Sequence, residues 1–477
     1  MAQGFTLERL GCNFWNIVPS NITLSNYVSN FMGVHNTITW NFGSLYKLGY
    51  FASSAGSGSR SGSAMNFMVT LAYAPRFLTY DGTTTGVPQN WNVYMDIVSK
   101  VCIYLKAYSS VKYIEIWNEP DGGFLTISGS PYATKAAAYM DIYFYTVQAI
   151  KASGMSVLIG GTAGADPVNS LALANAMLSN PKISADVGFL TYHHYDGDSG
   201  TDMVDAYLWE ALALNHNRTA LPVFVDEWNY SYLQPNNPLN SASTDAIAYV
   251  ARRLSAFLTS GVAGSNMYHL QPPANDSSPG LTGLFHNGTF TPKTQSYRLM
   301  SVILGLGGGL STIVQSSFTN GSLTFSLAAI NHASQPVLCL TNEGNSTSNL
   351  SLALTGLAPS TAYTVAVWEA SALNPTQAMR QSFLFNTDAS GSSNASYVSV
   401  GQKSVVGLVF TGLAPPGTPP PQPPSSTGTP SPSPPPLPPP LRSSPPKSGA
   451  SPLLSGLTAA PLLLAALGAL LVSGMLL

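Results

Sequence analysis

Charged side chains are scarce in this chain. Asp, Glu, Lys and Arg make up only 8% of its 477 residues, and the formal net charge is -2. No basic run is interleaved with aromatic residues, so the chain lacks the electrostatic footprint of a nucleic-acid-binding protein. We therefore expect a neutral or weakly charged partner, and we predict that nucleic acid is not a partner.

Cysteine is also rare. Only Cys12, Cys102 and Cys339 occur, and they are too few and too scattered for a disulfide framework or a metal site. At most one disulfide could form, and we predict none. The sequence predicts neither a metal ion nor another cofactor.

The N-terminal segment lacks a signal peptide. Met1–Phe5 has neither the charged start nor the apolar core of such a peptide. Asn-x-Ser/Thr acceptor sites nevertheless recur along the chain and favour a secreted glycoprotein. We therefore expect that the sequence starts after the true N-terminus; export by another route is the alternative. The acceptor sites are Asn21, Asn217, Asn229, Asn275, Asn287, Asn320, Asn345, Asn349 and Asn394.

Two apolar stretches of the chain each end in a carboxylate. Residues 112–120 alternate β-branched and aromatic side chains up to Glu119 and then reach a proline and turn residues, and residues 221–229 end around Glu227. Two acids at strand tips suit glycoside cleavage, in which one protonates the leaving oxygen and the other attacks the sugar. A single Glu is usually a solvated surface residue. Here both sit beside Trp and Asn in a chain with only 21 acids, which favours a catalytic pair.

The sequences around the two acids resemble a known signature. Residues 116–120 (IWNEP) and 226–232 (DEWNYSY) together resemble the catalytic motifs of the retaining (β/α)8 glycosidases, most closely glycoside hydrolase family 39. That family includes β-xylosidases and α-L-iduronidases. The first motif is shared by the whole clan, and the second points more narrowly. The resemblance implies that Glu119 is the acid/base, that Asn118 donates a hydrogen bond to the sugar 2-hydroxyl, and that Glu227 is the nucleophile.

Further candidates for sugar binding surround this pair. His193 and Tyr195 share one face of a predicted strand by alternation, and the resemblance implies that a His-x-Tyr pair here lies in the sugar site. A lone histidine can equally be a satisfied core residue. Tyr232 fits the second motif as a rim residue. The predicted substrate-binding set is Asn118, Trp117, His193, Tyr195, Trp228, Tyr232 and Tyr268.

Other positions separate the chain from the family. Glu115 lies one layer below Glu119 on the same strand face, so we interpret it as a structural interior acid that needs hydrogen bonds. Where the family usually has Arg and His at the end of its second strand, this chain has residues 38–42 (ITWNF). The predicted eighth strand ends in residues 267–269 (MYH), where the clan usually presents Trp. Both positions line the sugar site in the family, so these departures weaken the transfer of the family's sugar preference.

Apolar strands and amphipathic helices alternate through most of the chain. This pattern predicts a (β/α)8 TIM barrel as the catalytic domain over residues 1–308. Short alternating runs over residues 309–412 predict a small antiparallel β-sandwich. We expect the sandwich to pack against the barrel; carbohydrate binding is its alternative role. Predicted barrel strands cover residues 13–18, 37–42, 66–72, 112–119, 157–161, 187–194, 221–229 and 264–270.

The end of the chain predicts attachment to a membrane. Residues 413–447 are dominated by Pro with Ser, Gly and Thr, which predicts a disordered, extended linker. Residues 448–477 combine small residues with an apolar run that no basic cluster follows. This pattern favours a GPI-anchor signal, with a membrane helix as the alternative. We expect an extracellular protein that is attached to the cell surface.

These features together predict a function. We expect a retaining glycoside hydrolase that cleaves O-glycosidic bonds of cell-wall or extracellular carbohydrate by double displacement. The expected substrate is an oligo- or polysaccharide, and a β-xylosidase-like exo-enzyme is the expected subtype. The alternative is a catalytically silent carbohydrate-binding protein of the cell surface on the same barrel. The presence of both Glu119 and Glu227 favours the enzyme.

Overall fold

The structure is a computed structural model of the chain. It describes residues 7–33, 40–45, 48, 66–195, 199–219, 221–230, 243–268, 285–286, 289–304, 312–314, 325–331, 333–371 and 378–412. Residues Met1–Gly417 cluster as one compact unit. The predicted linker and the apolar C-terminal run lie outside the described residues. No helix in the described part has the length and apolar character that crossing a membrane requires.

A parallel sheet of seven strands forms the first part of this unit, and its strands are hydrogen-bonded in chain order. They are β1 (Leu7–Asn13), β2 (Asn66–Ala72), β3 (Val111–Ile116), β4 (Leu158–Gly164), β5 (Phe189–Tyr195), β6 (Val223–Asn229) and β7 (Gly264–Met267). The last strand returns beside the first, because a Cβ atom on Gly264 would lie 3.2 Å from Leu7 Cδ2. The sheet is therefore a nearly closed barrel, which confirms the predicted fold class.

Helices connect the strands. They are α1 (Phe14–Ile17), α2 (Leu24–Asn30), α3 (Trp91–Leu105), α4 (Lys135–Ser153), α5 (Leu171–Ser179), α6 (Ser199–Asn215) and α7 (Ala246–Thr259), followed by α8 (Lys293–Leu304). Local sequence fixes several of their ends. The Asn90 side chain accepts from Val93 N–H at 3.1 Å and caps α3, and Thr134 caps α4 in the same way. Gly154 ends α4 with φ at 67°, a left-handed conformation that glycine adopts without strain.

The barrel interior changes from apolar to charged along the strands. Its lower level holds a cluster formed by Leu7, Met68, Tyr113, Phe189 and Phe224. Because strand side chains alternate, the next interior position lies two residues further on. That step places Arg9, Thr70, Glu115 and Asp226 above the apolar level. The charged layer therefore faces the carboxyl ends of the strands, where the active residues of such barrels gather.

The first two predicted strands were misplaced. Of the predicted residues 13–18, only Asn13 is in a strand, because Phe14 and Ile17 bury together at helical spacing in α1. The strand lies just before them, at Leu7–Asn13. Of the predicted second strand, residues 37–39 lie outside the described residues, and residues 40–42 are not in a strand. Asn66–Ala72 pairs directly with β1. The other predicted barrel strands form close to their expected positions.

The second part of the unit is rich in antiparallel strands. A six-stranded sheet has the order β10-β11-β12-β17-β14-β15, β13 pairs with β16, and β8 pairs with β9. The strands are β8 (Phe285–His286), β9 (Thr289–Phe290), β10 (Thr312–Val314), β11 (Phe325–Ile330), β12 (Pro336–Asn342), β13 (Ser348–Leu354), β14 (Ala362–Ser371), β15 (Ala378–Asn386), β16 (Ser393–Val400) and β17 (Ser404–Gly412). The alternating runs in the sequence, at residues 312–317, 323–331, 336–341, 350–354, 362–369 and 404–411, did not predict β15 and β16.

This β-rich part packs on both of its sides. Leu350 and Val400, from the β13–β16 pair, share a core with Val365 and Leu408 of the larger sheet, as expected for a sandwich. The opposite face of the larger sheet meets the barrel, where Cys339 Sγ lies 3.6 Å from Met300 Sδ of α8.

The three cysteines are all buried as free thiols.

Candidate active site

Three predicted residues meet at the carboxyl ends of β3, β5 and β6. Glu119 follows β3, His193 lies in β5, and Glu227 lies in β6. One ligand-type atom from each of these residues lies within 4.8 Å of the other two. The parallel arrangement explains the meeting, because equivalent strand ends share one rim of the barrel.

The segment that carries Glu119 has an unusual backbone. Trp117 and Glu119 have φ values of 69° and 45°, in the left-handed region that non-glycine residues rarely adopt. Hydrogen bonds hold this conformation: Glu119 N–H donates to Ala163 O at 2.8 Å, and Trp117 Nε1 donates to Phe124 O at 2.8 Å. Such strain persists only where the surroundings fix it. Hydrogen bonds therefore fix the backbone that carries the Glu119 carboxyl.

A β-bulge in β6 turns two consecutive acids into the barrel. Tyr192 pairs with Val225 but His193 pairs with Glu227, so Asp226 is the extra residue of β6. Both acids then reach the same guanidinium: Arg9 lies 2.9 Å from Asp226 Oδ2 and 2.9 Å from Glu227 Oε2. Alternation from the interior Phe224 brings Asp226 into the barrel, and the extra residue lets Glu227 face the interior as well. The sequence motif pointed only to Glu227, so Asp226 was not predicted as a site residue.

Arg9 of β1 links the acids of the site. Besides Asp226 and Glu227, it donates to Glu115 Oε2 at 2.7 Å and to Asn118 Oδ1 at 2.8 Å. Sequence reasoning missed Arg9 because the first strand was expected to begin only at residue 13, and an arginine was sought at residues 38–42. The available signal was the alternation of Leu7, Arg9, Gly11 and Asn13 before the helical turn of α1.

His193 and Tyr195 contact the two predicted catalytic acids directly. His193 Nδ1 lies 2.8 Å from Glu119 Oε1, and its Nε2 lies 3.3 Å from Asp226 Oδ2. Burial alone would lower the pKa of His193, but the carboxylates of Glu227 and Asp226 outweigh it and raise that pKa well above its usual value. The neighbouring carboxylates therefore favour the protonated form of His193. Tyr195 Oη donates to Glu227 Oε1 at 2.6 Å.

Asn118 and Tyr73 complete the wall beside Glu119. The Asn118 amide donates to Tyr73 Oη at 3.1 Å while its oxygen accepts from Arg9, so both ends of the amide are oriented. Tyr73 follows β2 with φ at 59°. Burial raises the pKa of its hydroxyl to about 12. No motif in the sequence pointed to Tyr73.

The remaining predicted binding residues have different positions. The Trp117 and Trp228 rings are fully buried. Trp228 packs edge-on against Phe257, at 5.5 Å between ring centroids, so its placement gives it a role in packing. Tyr268 is 36% exposed and lies beside Tyr195, with 6.5 Å between the ring centroids. Tyr232 lies outside the described residues.

The Asn229 acceptor site is incompatible with a glycan in this fold. Asn229 is fully buried, its oxygen accepts from Lys293 Nζ at 3.1 Å, and its amide donates to the backbone oxygen of Tyr268. A sugar on this nitrogen would break these contacts. Asn217, by contrast, is exposed.

Glu119, His193 and Glu227 also have the spacing of a metal-ligand set. Arg9 lies 2.9 Å from Glu227 Oε2, and a fixed cation against this carboxylate opposes the binding of a metal ion there. The charge pattern therefore suits an acid pair better than a metal centre.

Glu115 and Asp226 form a buried acid pair under the site. Burial and the Asp226 carboxylate raise the pKa of Glu115 to about 7, although Arg9 opposes them. Burial also acts to raise the pKa of Asp226, but Arg9 and His193 lower it to about 2. Glu115 thus holds a proton below neutral pH while Asp226 stays ionised. Thr70 Oγ1 donates to Glu115 Oε2 at 2.7 Å, so Glu115 is the hydrogen-bonded interior acid that its position predicted.

We expect this pair to make stability depend on pH. An unfolded glutamate releases its proton near its ordinary pKa of 4.5, whereas folded Glu115 keeps it until about pH 7. The native state therefore binds more protons between these values, and stability falls as pH rises through that window. The loss is on the order of 3 kcal/mol. Thermal unfolding of wild type and Glu115→Gln between pH 4.5 and 8 should show a shallower decline for the variant, since its amide does not titrate. Equal slopes would contradict the assignment.

Solved glycoside hydrolase structures resemble this fold. A glucosidase from Croceicoccus marinus is 13% identical, with a TM-score of 0.60 over 86% of this chain and 91% of that chain. A family 30 endoxylanase from Clostridium papyrosolvens is 11% identical, with a TM-score of 0.56 over 85% and 89%. A family 44 endoglucanase from Clostridium acetobutylium is 12% identical, with a TM-score of 0.56 over 85% and 93%.

These identities are low, so the likeness establishes the fold. The alignments cover a larger fraction of this chain than the barrel makes up, so the likeness includes the β-rich part. No protein-family model and no curated protein sequence matches the chain.

Proposed function

We propose that the chain is a retaining glycoside hydrolase with Glu227 as nucleophile and Glu119 as acid/base. The observation that carries this proposal is the approach of a Glu119 oxygen to within 4.8 Å of a Glu227 oxygen. Retaining enzymes hold their carboxyl groups about 5 to 5.5 Å apart, whereas inverting enzymes leave about 6.5 to 9.5 Å for a water molecule. The short separation favours direct attack by a carboxylate.

The contacts suit a double displacement. In the first step Glu119 gives its proton to the glycosidic oxygen, the C–O bond to the leaving group breaks, and a Glu227 oxygen bonds to the anomeric carbon. In the second step Glu119 takes a proton from water, whose oxygen displaces Glu227 and releases the sugar. Arg9 and Tyr195 each donate to Glu227 and orient its oxygens for attack. His193 Nδ1 lies 2.8 Å from Glu119 Oε1 and orients that carboxyl group for proton transfer.

Asn118 is positioned for a supporting role. Its oxygen accepts from Arg9 and its nitrogen donates to the Tyr73 hydroxyl, so the amide cannot rotate freely. We propose that this amide also contacts the sugar 2-hydroxyl, as the motif resemblance implies. Such a contact strengthens in the transition state and supplies part of the rate enhancement.

For the substrate we propose a β-linked xyloside, cleaved from a chain end. The support for the xyloside and for cleavage at a chain end is the resemblance of the two motifs to family 39, which includes β-xylosidases. The structural likeness to proteins described as a glucosidase, an endoxylanase and an endoglucanase supports a carbohydrate substrate. Aryl β-xyloside, β-glucoside, β-galactoside and α-L-arabinoside substrates test this choice. The highest kcat/KM is expected for the xyloside. No turnover of any substrate by the wild type would favour the silent carbohydrate-binding alternative.

We also propose that the protein works at the cell surface. The proline-rich residues 413–447 and the apolar end of the chain support a stalk with a GPI anchor. A phosphatidylinositol-specific phospholipase should then release the protein from cells, because the lipid would be its only hold on the membrane. Protein that stays in the membrane fraction after the phospholipase, but dissolves in detergent, would indicate a membrane helix instead.

A further inference from the structure

Two loops at the barrel rim are joined into one wall beside Glu119. The first loop, residues 73–90, follows β2, and the second, residues 117–134, follows β3. Thr126 N–H donates to Thr85 O at 2.9 Å, and Val87 N–H donates to Thr126 O at 3.2 Å. The Thr126 hydroxyl also donates to the Asp81 carboxylate. These bonds tie the two loops together and fix the wall's backbone.

Phe124 presents an aromatic ring on this wall. The ring is 43% exposed, and its centroid lies 5.9 Å from that of Tyr73. Its carbonyl accepts from the buried Trp117 indole at 2.8 Å, so the backbone behind the ring is held. Tyr73 in turn accepts from Asn118, the neighbour of Glu119. A chain of direct contacts therefore connects the exposed ring to the acid/base.

A single exposed apolar side chain carries little information, since many occur on any protein surface. Phe124 differs from such residues because its backbone is fixed in the same loop as the acid/base. Its loop also carries Glu119, which keeps a positive φ of 45°, and Gly122 N–H donates to Glu119 O at 3.1 Å inside this loop. Hydrogen bonds therefore hold the backbone between the acid/base and the ring. The arrangement is preformed, as binding sites for small molecules usually are.

The mechanism says which part of a substrate meets this ring. The acid/base must touch the glycosidic oxygen, and the departing group extends from that oxygen away from the nucleophile. Phe124 belongs to the loop of Glu119, whereas Tyr195 and Tyr268 border Glu227. The Phe124 ring is therefore on the leaving-group side. The apolar C–H face of a sugar ring can stack on such a surface and bury it from water.

We propose that Phe124, backed by Tyr73, forms the subsite for the sugar ring on the leaving-group side of the scissile bond. This inference rests on the proposed function and narrows it. The preferred substrate is an oligosaccharide whose departing part begins with a sugar, rather than a glycoside of a small alcohol.

The test compares substrates with and without a leaving-group sugar. Phe124→Ala should lower kcat/KM for β-1,4-xylotriose by about 10-fold to 100-fold, the value of one buried aromatic ring. β-D-xylosyl fluoride has no sugar on that side, so its kcat/KM should change by less than about 2-fold. If the aryl glycosides show that the enzyme prefers glucose, the corresponding glucose trisaccharide and glucosyl fluoride replace these two substrates. Phe124→Trp should keep the trisaccharide activity, because it restores a flat ring.

Controls separate stacking from an effect on the loop. Phe124→Leu keeps an apolar side chain without a flat ring and should behave like Phe124→Ala. Tyr207→Ala removes a ring of similar exposure, 47%, from helix α6 and should change neither substrate's kcat/KM. Equal losses of Phe124→Ala on trisaccharide and fluoride would assign the ring to loop support and overturn the proposal. No loss on either substrate would also overturn it. Absence of Glu227-dependent fluoride release by the wild type would refute the proposed function itself.

Discussion

Glu227→Ala is expected to lower kcat at least about 10,000-fold, as removal of a nucleophile does in covalent catalysis. The expected loss follows from geometry. Glu227 receives Tyr195 Oη at 2.6 Å and an Arg9 nitrogen at 2.9 Å, so its oxygens are aimed and no neighbouring acid has the same surroundings. Asp226 cannot replace it, because Asp226 is fully buried beneath the rim.

Glu119→Ala should behave differently because its role depends on the leaving group. A 2,4-dinitrophenyl glycoside needs no protonation, so its first step should be spared while the second slows by about 100-fold to 10,000-fold. Azide needs no general base, so it should restore turnover of Glu119→Ala. It should not restore turnover of Glu227→Ala to the product that Glu119→Ala gives with azide.

The comparison requires a variant that leaves the site intact. Glu369→Ala removes an acid of β14 that pairs with Arg380 at 3.4 Å and should leave kcat unchanged. Azide rescue of both active-site variants to the same extent, or of neither, would contradict the roles. If azide rescued only Glu227→Ala, and the product kept the configuration of the substrate at the anomeric carbon, the two roles would be exchanged.

Arg9→Met is expected to cost about 3 to 5 kcal/mol of unfolding free energy, the usual effect of removing one partner of a buried ion pair. Arg9 is 13% exposed and contacts Glu115, Asp226 and Glu227. Without its charge these carboxylates face one another. Arg9→Lys should recover only part of the loss, because an ammonium cannot reproduce the planar fork.

A double variant makes this prediction specific. Arg9→Met with Glu115→Gln should be more stable than the sum of the single changes predicts, since the second change removes one uncompensated acid. Calorimetric unfolding at pH 8 is the measurement, because Glu115 titrates at about pH 7 and is ionised there. Additive effects would mean that Arg9 and Glu115 are not coupled and would contradict the contacts.

The carboxylate pair could be predicted from sequence because its signal is local. Glu119 and Glu227 each end an apolar strand within a short motif, and parallel strand ends meet at one rim. The helices followed from periodicity as well: apolar residues at helical spacing predict a helix over residues 293–304, where α8 forms. Local patterns determine these features, so no knowledge of distant neighbours was needed.

The rest of the site depends on relations that alternation does not encode. Asp226 and Glu227 both face the barrel because β6 has one residue more than its neighbours, and a bulge of this kind is set by pairing with β5 and β7. Arg9 enters because β1 pairs with Asn66–Ala72, far along the chain. Strand β15 escaped notice because Met379 and Leu384 on it are largely exposed, which blurs its pattern.

The most direct test of the central claim is covalent trapping of the intermediate. A 2-deoxy-2-fluoro-β-xylosyl fluoride, or its glucosyl counterpart, slows both steps by destabilising the oxocarbenium-like centre, while the fluoride leaving group favours the first. Mass spectrometry of peptides after incubation should then find one fluoroglycosyl group on Glu227 and none in Glu227→Ala. An adduct on another residue, or no adduct from an enzyme that turns over the aryl glycoside, would contradict the assignment of Glu227 as the nucleophile.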